Sequence, residues 1–161
     1  MSPLERFKDA QATPGSGFEF ALSEIQAGGK RGHWIWYVFP QLSGLGRSTP
    51  SRTYGIEGVA EAEDYLRDPL LRSRLLTIAT AVAEQIKQPG RPSLQRLMGS
   101  SIDATKLVSS LTLFGEVAKR LHAAEGLDEY ASIARVAAQV LAVATAEGYP
   151  PCQFTLGHLR P

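Results

Sequence analysis

Apolar positions recur at spacings of three and four along most of this chain, the period of a helix with one buried face. Leu71, Leu75, Ile78, Val82 and Ile86 form one stripe, and Leu107, Leu111, Phe114, Ala118 and Leu121 a second. Tyr130, Ile133, Ala137, Val140, Leu141 and Ala144 form a third. Shorter helical segments precede them. Ser2 is placed to cap a first helix with Pro3 at its opening position and Leu4, Phe7 and Ala10 on its apolar side. A second runs from Phe18 through Leu22 and Ile25 to Gly28-Gly29. A third, residues 60–67, ends before Pro69, which itself can open the next. Pro89, Gly90 and Pro92 enforce a break, and the run 148–151 closes the last helix.

Residues 33–39 do not declare themselves by period. Their aromatic and β-branched content suits a strand, yet nothing else in the chain reads as a strand partner. An unpartnered buried strand leaves its backbone groups unsatisfied. A short helix closed by Pro40 is therefore expected, with His33, Trp36 and Tyr37 on one face and Trp34 and Val38 on another. The chain is predicted to be all-α, a compact single-domain bundle or array of about six to seven helices. The domain spans 1–161, with 150–161 as a C-terminal tail.

Composition narrows the function classes. The 161 residues are 43% apolar and 20% charged, ordinary for a globular protein of one domain. A net charge of +1 argues against a protein that coats nucleic acid. No apolar run approaches the roughly 20 residues a membrane helix needs, and MSPLERFKDA lacks the apolar core of a secretory signal. The single cysteine, Cys152, excludes an internal disulfide and fits a reducing compartment. A cytoplasmic protein is expected.

Candidate chemistry concentrates in residues 30–48, KRGHWIWYVFPQLSGLGRS, which hold both tryptophans with polar residues on either flank. From Ile25 to Ile56 there is no Asp or Glu, while Lys30, Arg31, Arg47 and Arg52 are cationic. Residues 85–102 repeat the pattern with Lys87, Arg91 and Arg96. The two segments favour an anionic ligand if they meet in space; otherwise they are solvated loops. The loop 42–48 either offers backbone N–H groups and Ser48 to a phosphate beside Arg47, or carries glycines only to turn. It matches neither a Walker loop nor a dinucleotide fingerprint. His33 is either a proton-transfer group or a structural one. Asp103 and Lys106 lie three apart near a helix start, where Ser101 can cap, and Lys106 and Ser109 share a face. No metal-ligand spacing joins His33, His122, His158 and Cys152.

LERFKDAQ, the aromatic segment, YGI with EAEDYL, and SSIDATKLVSSLTLF together resemble the family known as domain of unknown function 1810. The resemblance covers about residues 4 to 145 and implies a small, mainly α-helical domain; it lends no reaction. It marks Lys30, His33, Trp34, Trp36, Phe39, Pro40, Gln41, Gly44, Gly46, Ser48, Tyr54, Asp103, Lys106, Ser109 and Thr112 as motif positions. Members tend to carry an acidic residue shortly before a Thr-Leu pair, where this chain has Cys152 and Gln153 ahead of Thr155-Leu156.

The residues point first to a site for a small anionic, phosphate-bearing or nucleotide-like molecule. Trp34 or Trp36 would stack on a ring, Lys30, Arg47 and Lys106 would hold charge, and Gln41, Ser48, Tyr54 and Ser109 would complete the lining. Hydrolysis or group transfer assisted by His33 and Asp103 is the chemistry to test, with no cofactor or metal expected. The rival reading is an interaction or structural module, with the aromatic cluster as exposed anchor or as core. Burial of the cluster separates these.

Overall fold

The structure, a computed structural model, describes residues 2–160. Its helices run α1 (Glu5–Gln11), α2 (Phe18–Gln26), α3 (Ile35–Val38), α4 (Thr49–Thr53) and α5 (Val59–Arg67) in the first half. Then follow α6 (Pro69–Lys87), α7 (Leu94–Met98), α8 (Ser101–Glu125), α9 (Asp128–Ala146) and α10 (Gln153–Leu159). Among the described residues there are 10 helices, 7 of them of seven residues or more, and no strand. The fold is all-α, as the periodicity predicts. The expected count of six to seven matches the longer helices. The single-turn helices α3, α4 and α7 exceed what a stripe can reveal.

The long helices form because their apolar positions recur at helical spacing, and α6 and α8 also have capped N-termini. Asp68 accepts from the N–H groups of Leu70 and Leu71, with Pro69 in the first turn of α6. Ser100, not Ser101, caps α8 by accepting from Asp103 N–H at 3.1 Å, while Ser101 opens the helix on the exposed side. The first helix also starts later than expected. Ser2 Oγ bonds Leu4 N–H in a preceding turn, and α1 begins at Glu5 without a side-chain cap.

At the centre lies α8, buried on nearly all sides from Ala104 to Leu121, as a helix apolar all round must be. α9 packs along it, and Gly115 permits the approach: a Cβ there would stand 3.1 Å from Ala137 Cβ. α6 backs α9, α2 lies on α6, and α5 and α7 close the other flank of α8. The C-terminal residues do not hang free as a tail. α10 packs on α8 with Thr155 and Leu159 buried, and Cys152 N–H donates to Thr112 Oγ1 at 3.1 Å.

A chain of aromatic rings joins the small helices to this core. Tyr37 meets Tyr54 at 5.2 Å, Tyr54 meets Phe7 at 6.1 Å, Phe7 meets Tyr65 at 5.2 Å and Tyr65 meets Phe114 at 4.9 Å. Such pairs contribute roughly 0.5–1.5 kcal/mol each beyond area burial. Arg6 fastens the same corner. Its guanidinium donates to Thr53 O (2.9 Å), to Gly55 O (2.9 Å) and to Glu61 (2.8 Å), so α1 holds both the end of α4 and the start of α5.

Candidate functional site

The site is organised by α3, one turn of helix with a tryptophan before it and another inside it. Pro40 has no N–H to continue the helix, and Phe39 leaves helical geometry ahead of it. Trp34 and Val38 face inward, whereas Trp36 and Tyr37 are half-buried and His33 is exposed.

Trp34 is fully buried and its polar edge is satisfied. Its indole N–H donates to Glu24 Oε1 at 2.7 Å, and the same oxygen accepts from the N–H groups of Gly32 (2.9 Å) and Arg31 (3.1 Å). Burial pushes the Glu24 carboxyl up, but these donors and the nearby Lys30 charge outweigh it and hold the group below the usual carboxylate range. Gly32 is closely approached: a Cβ there would meet Phe20 Cε1 at 2.7 Å and Trp34 Cδ1 at 3.0 Å. Trp34 therefore offers no face to a ligand, which corrects its placement as a stacking platform.

Lys30 is likewise committed. It is 8% exposed, lies 5.0 Å over the Trp34 ring, pairs with Asp103 Oδ2 at 2.6 Å and donates to Gly32 O. Its backbone N–H donates to Leu97 O at 2.8 Å, and Gly99, with φ +88°, leaves room for Lys30 O where a Cβ would stand 2.9 Å away. The two acid-free basic segments do meet, where the loop at Lys30 hydrogen-bonds the end of α7. Lys30 acts there as a structural cation rather than a ligand-facing one.

Trp36 lies on the other side. Lys106 Nζ stands 5.2 Å from its ring centroid, so the aromatic segment and α8 share a boundary as the polar residues on both suggest. Trp36, Phe39, Gln41, Pro50, Ser51, Tyr54, Gly55 and Lys106 enclose a recess of about 10 Å³, room for one water-sized atom. No carboxylate lines it. The Trp36 indole N–H is buried and has no hydrogen-bond partner. Lys106 reaches only Asp103 Oδ1, at 3.9 Å, while the other oxygen of that carboxylate serves Lys30. One carboxylate thus balances two ammonium groups.

The loop 42–48 contributes no lining residue to this recess and packs behind Gln41 and Ser51. Gln41 O accepts from Ile56 N–H and Ser43 N–H donates to Ile56 O, both at 2.9 Å, an isolated bridge between Leu42 and Ile56. Gly46 lies against Ser51, whose Oγ would be 2.3 Å from a Cβ there, and a Cβ on Gly44 would touch Phe154. Gly46 serves close packing, and Gly44, with φ +99°, serves the turn. Ser48 Oγ caps α4 by accepting from Ser51 N–H, and Arg47 is exposed with no partner among the described residues.

Two further expectations change. Ser109 is one turn beyond Lys106 but is buried in a separate cavity of about 370 Å³, lined also by Thr105, Tyr149, Pro150 and Cys152. Burial there pushes the Cys152 thiol up, yet hydrogen bonds from Ser109, from Thr155 and from backbone N–H groups bring it below its ordinary value. No hydrogen bond or ion pair joins His33 to Asp103 among the described residues; Asp103 instead carries Lys30 and Lys106. Sequence reasoning missed Glu24, which stands just before the acid-free segment, and Ser51. Among the described residues, no group of three or more His, Cys, Asp or Glu is arranged to hold a metal ion. No helix there is long and apolar enough to cross a membrane.

Comparison with curated proteins finds no match. Among solved structures, the chain is similar to the conserved hypothetical protein Rv1873 from Mycobacterium tuberculosis, at 34% identity and a TM-score of 0.71 over 96% of this chain and 94% of that one. Residues 1–140 match the family described as protein of unknown function, DUF1810, and the chain belongs to that family.

Proposed function

We propose that the protein binds a small anionic molecule at the Trp36–Lys106 recess, with one oxygen of the ligand's anionic group entering it. The observation that carries this reading is the buried, unpartnered Trp36 N–H. Buried donors are almost always paired, because an orphan costs about 1–3 kcal/mol. An acceptor supplied by a ligand removes that cost. The side chains around it favour the same partner: Lys106 is half-neutralised, Gln41 and Ser51 supply polar hydrogens, and no acidic group opposes a negative charge. Because the recess admits a single atom, the body of the ligand lies over its rim, where Tyr54 and Pro50 are half-buried. The reading is of a binding protein. No His, Asp or Glu lines the recess.

The chain has only two indole N–H groups, which makes the test direct. In an isotope-labelled sample, titration with acetate, inorganic phosphate and AMP is followed by the two indole signals. At least one of these anions at about 1 mM should move the Trp36 signal, and Lys106→Ala should abolish that movement. A Trp36 signal that no anion moves, or that moves equally in the lysine variant, overturns the proposal.

A further inference from the structure

A second concavity, on the far side of Lys30, has the size and chemistry of a nucleotide site. It measures about 610 Å³, within the range of small-molecule pockets, and lies between the end of α2 and the start of α7. Arg31 and Arg96 both line it, one from each basic segment, and neither guanidinium has a hydrogen-bond or ion-pair partner among the described residues. Forked guanidinium groups match phosphate oxygens two at a time. Lys30 also lines the groove, but its ammonium is held by Asp103 and Gly32 O, so the two arginines carry the unpaired positive charge.

The groove is more than a basic patch. Glu24 lines it too, and all three donors on that carboxylate, from Arg31, Gly32 and Trp34, converge on Oε1. Oε2 is left without a partner among the described residues. An ionised carboxylate beside an anion is unfavourable unless the ligand brings hydroxyl donors to it, as a ribose diol does. Phe20 stands beside Glu24: both its Cε1 and Glu24 Oε1 lie within 3.3 Å of the position a Cβ on Gly32 would take, and the residue is 37% exposed. Bases stack on such rings. Gly28 and Gly29 line the same space with no side chain, and a Cβ on either would meet nothing within 4 Å.

We infer that this groove binds a ribonucleoside monophosphate, with Arg31 and Arg96 on the phosphate, Glu24 Oε2 on the ribose hydroxyls and Phe20 against the base. The inference is independent of the Trp36 recess, and the two indole signals keep them apart. Trp34 N–H rests on the Glu24 carboxylate and reports the groove; Trp36 N–H reports the recess.

The test titrates AMP, dAMP and inorganic phosphate into the labelled protein while reading the Trp34 signal. AMP is expected to move it with a dissociation constant of about 1 mM or tighter. dAMP should bind several-fold more weakly, and inorganic phosphate should leave the Trp34 signal in place. Arg31→Ala and Arg96→Ala should each weaken AMP by about tenfold or more. Gly29→Leu, which adds a side chain into open space without touching a charge, should block binding while the unliganded spectrum stays intact. A Trp34 signal that AMP does not move overturns the inference. So do equal affinities for AMP, dAMP and phosphate, or AMP binding unchanged in Arg96→Ala and Gly29→Leu. Movement of Trp36 alone would uphold the recess and reject the groove; movement of Trp34 alone would do the reverse.

Discussion

The two sides of α3 carry the same kinds of residue, a tryptophan under a lysine that reaches Asp103, and put them to opposite ends. On the Trp34 side the ring and the lysine over it are both paired and buried: the indole on Glu24, and Lys30 on Asp103 and Gly32. On the Trp36 side the indole has no partner, Lys106 is 3.9 Å from its counter-charge, and a water-sized space remains. Identical residue types therefore do not imply identical roles. Satisfaction of the polar groups separates the structural ring from the site-facing one: Trp34 itself has nothing left to offer a ligand, whereas Trp36 keeps a free N–H.

The largest effect that tests this contrast is on stability. Trp34→Ala removes a fully buried ring and should destabilise by about 3–5 kcal/mol, whereas Trp36→Ala should cost only about 1–2 kcal/mol. Denaturant unfolding of the two variants measures both. Equal losses would mean that Trp36 is core after all. The lysines give the next contrast. Lys30→Ala strips the short pair from a nearly buried carboxylate and should cost about 2 kcal/mol, less than a wholly buried pair because Asp103 keeps Lys106 and some water. Lys106→Ala should cost well under 1 kcal/mol. If the order is reversed, Asp103 depends on Lys106 and the recess is a structural joint.

The smallest effect concerns acid. Glu24 is held below its unfolded value, so its stabilisation is complete above the ordinary carboxyl range. It is lost as pH falls through the lowered folded value. Glu24→Gln should accordingly destabilise the protein at neutral pH, with the gap to the unsubstituted chain narrowing as the pH falls below the ordinary carboxyl range. Unfolding curves at several pH values check this; a gap that widens in acid would contradict the sign.

The long helices were legible because three stripes of apolar residues carry their own period, and Leu71, Leu75, Ile78, Val82 and Ile86 are all buried as the stripe requires. α4 and α7 were not, because five residues show no period. Each is set instead by a serine cap, Ser48 and Ser93, and by what it packs against. α10 was hidden behind Pro150-Pro151, a signal that marks an ending but not a restart. At the site, the meeting of Trp36 with Lys106 followed from polar residues on otherwise apolar segments. The division of labour between Trp34 and Trp36 did not. It depends on Glu24 from α2 and on Asp103 from α8 reaching the same turn, and such long-range partners leave no mark in local spacing. The acid-free segments were visible, but which of their cations stay free was decided by the same partners.

Arg6 lies outside the recess, yet it ties Thr53 and Gly55, the two ends of the short stretch that carries Tyr54, to α1 and to Glu61. Tyr54 and Gly55 are also wall residues of the recess. In the language of partial unfolding, this makes α1 and that wall a single opening unit: the wall cannot swing away while the guanidinium holds, and once α1 detaches the wall goes with it. Amide exchange at Tyr54 and Ile56 should therefore run at the pace of α1 rather than at that of the long helices. The rate at which a ligand enters would then be governed at Arg6, a position that touches no ligand.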